Sequence, residues 1–563
     1  MQILFFKISI IIFLICISAT ANPEWHKTRY NCPSGNWLNH GGDIYNRRYA
    51  CGENKISPST VSKLRLKWEF YAGKDISATP AILNGTVYFP SWNGYLYAVN
   101  ASDGSLVWER NLQKLTGLNA TVRTANVTAI VSRSTPAIAG HGETLIVGIY
   151  GPAVVIGVNR ATGDLLWMTL LDSHPAGVVT MSGTYYNGYS ICVLSLVNER
   201  NELLCVFLNW AFYVGTSSIE EGSSIAKCCI FRGRFAKLDV RTGNVLWQTF
   251  MLPDNKGKTG EYAGAAIWGS SPSIDAYRGH VYIATGNLYS APKHVRKCQE
   301  KQNNNKTTPT SSDKCVEADN HSESILALDL ESGEIKWFRQ LGGYDVFFIA
   351  CLNSSSSPNC PPGPNPDADF GEAPMMLSVV VNGSTRDIVV AVQKSGFAWA
   401  LDRDNGQIVW YTEAGPGGLA GGGTWGAATD NERVYTSITN SNRLKFRLLP
   451  SKNVTIGGGW VAMDAQTGKI LWSTAVPDTA LSNPVTIANG VLFGGSVHPR
   501  GPIFAIDAKT GEILWSQYTG ASVYGGMSVS NGCVYVGNGY RVSIGAGIPI
   551  FTGGTSLFAF CLE

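Results

Sequence analysis

Glu220-Glu221 stand a short stretch before Cys228-Cys229 in EEGSSIAKCCIFRG (residues 220–233). Paired carboxylates can hold a hard cation, and a bidentate Glu suits calcium. Adjacent cysteines can be thiolate ligands, halves of ordinary disulfides, or a bonded pair walling a pocket. A zinc site is disfavoured, because no second Cys/His pair with metal-ligand spacing lies nearby. Cα atoms across a trans peptide are about 3.8 Å apart, short of the roughly 4.4–6.8 Å usual in disulfides. A bonded pair would therefore be strained and would hint at function.

Other chemistries are absent. There is no Cys-x-x-Cys-His for covalent haem, no His-Glu-x-x-His and no Gly-x-Ser-x-Gly. GGGTWG (residues 421–426) matches a dinucleotide fingerprint formally, but the strand-like ATDNERVYTS follows it where a helix is needed, so it reads as a loop. The net charge is +3 with no basic cluster, which disfavours nucleic acid as a partner.

The elements that must position such a site repeat along the chain. AVNASDGSLVW ends at Trp108, and related segments end at Trp167, Trp247, Trp337, Trp410, Trp472 and Trp515, giving seven copies. Each reads as a strand, a tight turn with Gly at positive φ, and a second strand ending on Trp. The ring can wedge against the next repeat. LNGTVYFP, ANGVLFGG and SNGCVYVG add upstream strands, making about four per repeat, the pattern of propeller blades. LRLKWEF, ending near Trp68, has the look of a last strand without its hairpin, whereas GTSLFAF (residues 554–560) lacks a following Trp. The expected fold is all-β, an eight-bladed propeller over residues 22–563 in which the N-terminal strand closes the C-terminal blade.

Residues 189–210 interrupt one repeat; removing them restores the Asn-Gly-to-strand rule, so they read as a foreign insertion. Residues 1–21 read as a secretory signal, too short in its apolar run for a spanning helix. Twelve of the thirteen cysteines lie beyond it, an even count that fits disulfides, with Cys298–Cys315, Cys351–Cys360, Cys32–Cys51 and Cys533–Cys561 as candidates. There are nine Asn-x-Ser/Thr sequons, among them Asn305, Asn320 and Asn353 in or beside polar loops where a glycan could sit.

These repeats, with the opening WLNHGGDIYNRRYACGENKISPSTVSKLRLKWEF, resemble the quinoprotein alcohol dehydrogenases, the polyvinyl-alcohol dehydrogenase group in particular. The resemblance implies an axial site for pyrroloquinoline quinone and a calcium or lanthanide ion. AIWGSSPSIDAYRGHVYIATGN then offers Trp268 as the stacking ring and Asn287 as a cation ligand. PDADFGEAPMML offers Asp369 as general base and cation ligand, with Asp367 as the alternative or an extra ligand; Ala368 replaces the Trp the family often has there. VQKSGFAWALDRDNG offers Lys394, a catalytic and cofactor-binding cation. Glu220 or Glu221 would be the remaining ligand. Family members often have an adjacent-cysteine disulfide on one face of the quinone, but earlier in the chain than the Glu segment. Here Cys228-Cys229 follow it, so they are either a wall reached from another blade or plain staples. The implied protein is a secreted, N-glycosylated oxidoreductase of a small or polymeric alcohol, passing electrons to a separate acceptor, with no membrane span. The competing reading is a non-enzymatic extracellular propeller that binds a protein or glycan.

Overall fold

The computed structural model describes residues 35–122, 127–187, 190–195, 202–207, 210–302, 314–315, 317–343, 345–353, 360, 365–381, 383–423, 425–477 and 483–563. Eight four-stranded antiparallel sheets are arranged in a ring. Their first strands, Ala81–Leu83, Ala137–Ala139, Thr184–Asn187, Ser273–Asp275, Met375–Val381, Ala428–Thr429, Thr486–Ala488 and Ser528–Ser530, each touch the next, and the last touches the first. We number the blades I to VIII in that order. Blade VIII is completed by Arg65–Tyr71, which pairs with Ser556–Cys561, so the chain ends are knitted together as the split repeat requires.

One apolar cluster fills each of the eight seams between neighbouring blades. The repeated Trp locks every seam but that between blades VII and VIII in one way. Trp68, Trp108, Trp167, Trp247, Trp337, Trp410 and Trp472 each donate Nε1–H to a backbone carbonyl of the following blade, at 2.7–3.2 Å. The turn glycine of that blade lies on the ring: a Cβ at Gly104, Gly163, Gly243, Gly333, Gly406, Gly468 or Gly511 would fall 2.5–2.8 Å from it. These glycines also have positive φ. Gly468→Ala therefore meets both left-handed strain and the Trp410 ring, and is expected to cost roughly 2–5 kcal/mol. Gly279→Ala, at φ +65 but facing open space, should cost only about 1–2 kcal/mol; denaturant unfolding of the two variants checks the difference.

The N-terminal segment runs once around the axis. The Ser530 hydroxyl donates to Gly35 O in blade VIII, and Trp37 exchanges backbone hydrogen bonds with Ile82 in blade I. Leu38 O accepts from Ile138 in blade II, and Asn39 Nδ2 reaches Thr184 in blade III. Ile44, Tyr45, Arg47 and Arg48 carbonyls then accept from Ile274, Met376, Thr429 and Ile487 in blades IV to VII. Arg48, buried, returns to blade VIII through Met527 O.

Residues 190–195 and 202–207 pair as a separate two-stranded hairpin, and blade III pairs Asn187 with Trp210 across its base. The disulfides Cys298–Cys315, Cys351–Cys360 and Cys533–Cys561 are present. Cys51 is disulfide-bonded, and its expected partner Cys32 lies outside the described residues, as do Asn305 and the stretch 1–21. Asn320 is 2% exposed, which corrects its reading as a glycan acceptor: its side chain caps the Ser322 amide inside the fold.

Candidate active site

Loops leaving the inner strands of blades III to V converge near the axis. Lys394 follows the strand Ser384–Val392, and its ammonium lies 2.7 Å from Asp369 Oδ2 and 3.0 Å from both oxygens of Asp367. The Lys394 amide donates to Asp369 O, tying the strand to the aspartate loop. The other carboxylate oxygen of Asp369 accepts from the Asn287 amide at 2.8 Å. A Cβ at Gly286 would overlap Asp369 Oδ1 and approach Trp268 Nε1 to 3.1 Å, so glycine is needed there for Asp369, Trp268 and the Asn287 loop to meet.

Asn287 spends both amide protons on the Leu288 and Phe347 carbonyls, which fixes its orientation. Its Oδ1 is buried, with no hydrogen-bond partner among the described residues. A buried carbonyl oxygen left unpaired beside a carboxylate is the donor that a hard cation needs. Trp268 is 7% exposed, and its indole N–H likewise has no partner among the described residues.

The two glutamates divide. They sit in a 3₁₀ turn, Ile219–Gly222. Glu220 points away from the cluster: its carboxylate accepts from the Ile230 and Phe231 amides at 2.9–3.0 Å and lies 3.3 Å from His174 Nε2. Glu221 feels Lys394, Asp369 and Asp345, and burial pushes its carboxyl up to about 7 while the lysine opposes the shift. Cys228 and Cys229 are bonded to each other through a cis peptide, 1% and 0% exposed. They share an apolar cluster with Trp268, Phe231 and Tyr289.

Trp268, Asn287, Asp369, Lys394 and Glu221 thus come together, with the cysteine pair packed alongside, and Glu220 is directed elsewhere. Asp345 and Glu323 were not singled out by sequence. Burial, helped by Asp369, pushes Asp345 up to about 7; burial and its acidic neighbours raise Glu323 well above the ordinary range. Asp345 accepts from the Ala368 amide, holding the Asp367–Asp369 turn. Arg133 was missed too. Its guanidinium lies 5.1 Å from the centre of the Trp425 ring and near Tyr524 and Tyr540. Among the described residues it has no carboxylate within ion-pair distance. A lone Arg in VSRST carries no spacing signal that would have marked it.

A family model described as outer membrane protein assembly factor BamB matches residues 50–206, 210–339, 394–524 and 457–546. The chain is 28% identical over 484 residues to polyvinylalcohol dehydrogenase of Pseudomonas sp., covering 82% of this chain and 64% of that protein. It is 27% identical over 548 residues to the polyvinylalcohol dehydrogenase of Sphingopyxis sp. (strain 113P3), covering 90% and 74%. The chain thus spans somewhat less than two thirds of the first relative. Quinohemoprotein alcohol dehydrogenase from Comamonas testosteroni superposes with a TM-score of 0.65 at 17% identity, over 95% of this chain and 82% of that one. With its closed ring of eight repeat-encoded blades, the chain belongs to the family of quinoprotein (pyrroloquinoline-quinone) alcohol dehydrogenases.

Proposed function

We propose that the protein is a secreted dehydrogenase that oxidises an alcohol with pyrroloquinoline quinone and a calcium or lanthanide ion. The observation that carries this reading is Asp369, held by the Asn287 amide and the Lys394 ammonium beside the unpaired Asn287 Oδ1. When bound, the quinone accepts hydride from the alcohol carbon and the cation supplies Lewis acidity. Asn287, Glu221 and Asp369 are the hard oxygen donors that would hold the cation. Trp268 gives the quinone a flat stacking surface, with the Cys228–Cys229 pair packed near it. Arg133, with no acidic partner among the described residues and aromatic rings around it, suits the quinone's carboxylates. Asp369 takes the hydroxyl proton of the substrate, since it rather than Asp367 is held at the Asn287 loop. Lys394, its ammonium held by Asp367 and Asp369, would offer positive charge to the quinone oxygens.

With no haem-attachment motif in the sequence, electrons would leave to a separate acceptor. Among the described residues, no helix is long and apolar enough to cross a membrane. Secretion and N-glycosylation rest on residues 1–21 and on exposed sequons such as Asn84 and Asn453.

The test is alcohol-dependent dye reduction by the purified protein supplied with the quinone and calcium, using primary and secondary alcohols and poly(vinyl alcohol). Turnover that needs all three components is expected. Dye reduction indifferent to quinone and cation would leave a propeller that binds a protein or glycan.

A further inference from the structure

The stacking ring and the base are carried by different blades. Trp268 precedes the inner strand of blade IV, and Asp369 precedes that of blade V. Their relative position must be set by whatever joins the loops 268–271 and 369–373. The loops pack backbone to backbone where Gly269 meets Gly371 O. One tie comes from neither blade. Asn46, in the segment that circles the axis, donates from Nδ2 to Ser270 Oγ at 3.0 Å and to Ala373 O at 2.8 Å. Ser270 Oγ in turn accepts from the Ala373 amide at 3.0 Å.

Asn46 is 4% exposed and Ser270 equally buried, so no water competes for these bonds. Asn46 adopts φ +57, a conformation Asn tolerates better than most residues. A Cβ at Gly41 would lie 2.6 Å from Asn46 Cα, which holds the residue in place. The residue before the tie is anchored as well: Tyr45 O accepts from Met376 on the first strand of blade V, and Ile44 O from Ile274 on that of blade IV. The tie and its two anchors therefore span the same pair of blades.

We propose that Asn46 is a positioning residue for the alcohol-oxidising site, fixing the Trp268 loop to the Asp369 loop from the N-terminal segment. This rests on the function proposed above for Trp268 and Asp369, but the link itself can be read without cofactor. Asn46→Asp is nearly isosteric, tolerates the same backbone angle, and turns a carboxylate oxygen toward Ala373 O. Ser270→Ala cuts the same link from its other end.

Hydrogen exchange on the unloaded full-length protein is the first reading. Each variant removes two of the three buried hydrogen bonds of the tie and should speed exchange in the peptides covering 268–271 and 369–373 together, by about fivefold or more. The outer strands Val245–Phe250 and Ile408–Glu413 should be unchanged. The double variant should fall short of the sum of the two singles, because the Asn46–Ser270 bond is lost in both. In the quinone-loaded protein, kcat should fall by a similar factor, while KM for the alcohol and quinone affinity stay within about twofold, because the ring and the base are each intact. Unchanged exchange in both loops overturns the proposal. So does equal acceleration in the outer strands, which would make Asn46 a general fold residue. Failure of the wild-type protein to take up quinone would instead retire the alcohol reading, and the exchange result would still decide the link.

Discussion

Asp369→Asn is expected to lower kcat by about 10²–10⁴-fold, the range for a lost general base, while the protein still takes up quinone. An asparagine at 369 keeps an oxygen for the Asn287 amide and fills the same space next to Gly286, so the loop should hold. What it loses is the ability to accept the hydroxyl proton. Asp367→Asn separates the two candidates. Asp367 pairs with Lys394 and is buried at φ +58, and burial with its acidic neighbours raises its carboxyl well above the ordinary range despite the lysine. Its carboxylate is turned to Lys394 and makes no bond to the Asn287 loop, so its loss should change kcat by less than about tenfold. Steady-state kinetics of both variants, with quinone occupancy measured separately, give the comparison. If Asp369→Asn kept full turnover and Asp367→Asn lost it, the base would have to be moved by two residues.

The second large effect concerns the adjacent glutamates. Glu221→Gln is expected to weaken cation binding by about a hundredfold or more, since even outer-shell partners of a metal cost 10- to 100-fold. Glu220→Gln should leave cation affinity nearly unchanged and destabilise the fold by roughly 1–3 kcal/mol, because its carboxylate serves the buried Ile230 and Phe231 amides just after the cysteine pair. The pH dependence follows from burial. Glu221 and Asp345 are pushed up to about 7, so the folded unloaded protein holds protons that the unfolded chain has already released. Its stability therefore falls as pH rises from the ordinary carboxylate range to about 7 and then levels. A cation favours the ionised forms, so calcium affinity should rise with pH up to about 7, with proton release on binding, and flatten above it. Calorimetric calcium titrations on either side of that pH, in buffers of different ionisation heat, measure both trends. Equal calcium affinity in the two glutamine variants would remove Glu221 from the ligand set.

The ring was legible in the sequence because each blade spells out its own seam. The Trp and the turn Gly of successive repeats are partners across the interface, as Trp410 and Gly468 show, so the local motif carries tertiary information. The split repeat at Trp68 announced the closure by Arg65–Tyr71 for the same reason. The site was legible in part. Trp268, Asn287, Asp369 and Lys394 lie next to repeat strands, and their surroundings resemble the family's. The facing of Glu220 and Glu221 was not, since period-two reasoning applies to strands and these residues occupy a 3₁₀ turn. Asp345, Glu323 and Arg133 are single residues brought inward by ring closure, with no periodic or spacing signal. Asn46 lies in the opening segment, whose circuit around eight inner strands depends on the completed ring and on no local propensity. Asn320 misled because a sequon records sequence alone, and burial is set by the blade around it.

By the function proposed here, the axial cluster binds pyrroloquinoline quinone with the help of a hard cation. Titrating the purified protein with the quinone, following tryptophan fluorescence and the quinone absorption with and without calcium, tests it most directly. One quinone per chain is expected, with affinity that collapses when calcium is chelated and fluorescence quenching that is reduced in Trp268→Ala. No saturable quinone binding in the presence of calcium or a lanthanide would rule out a quinoprotein role for this site.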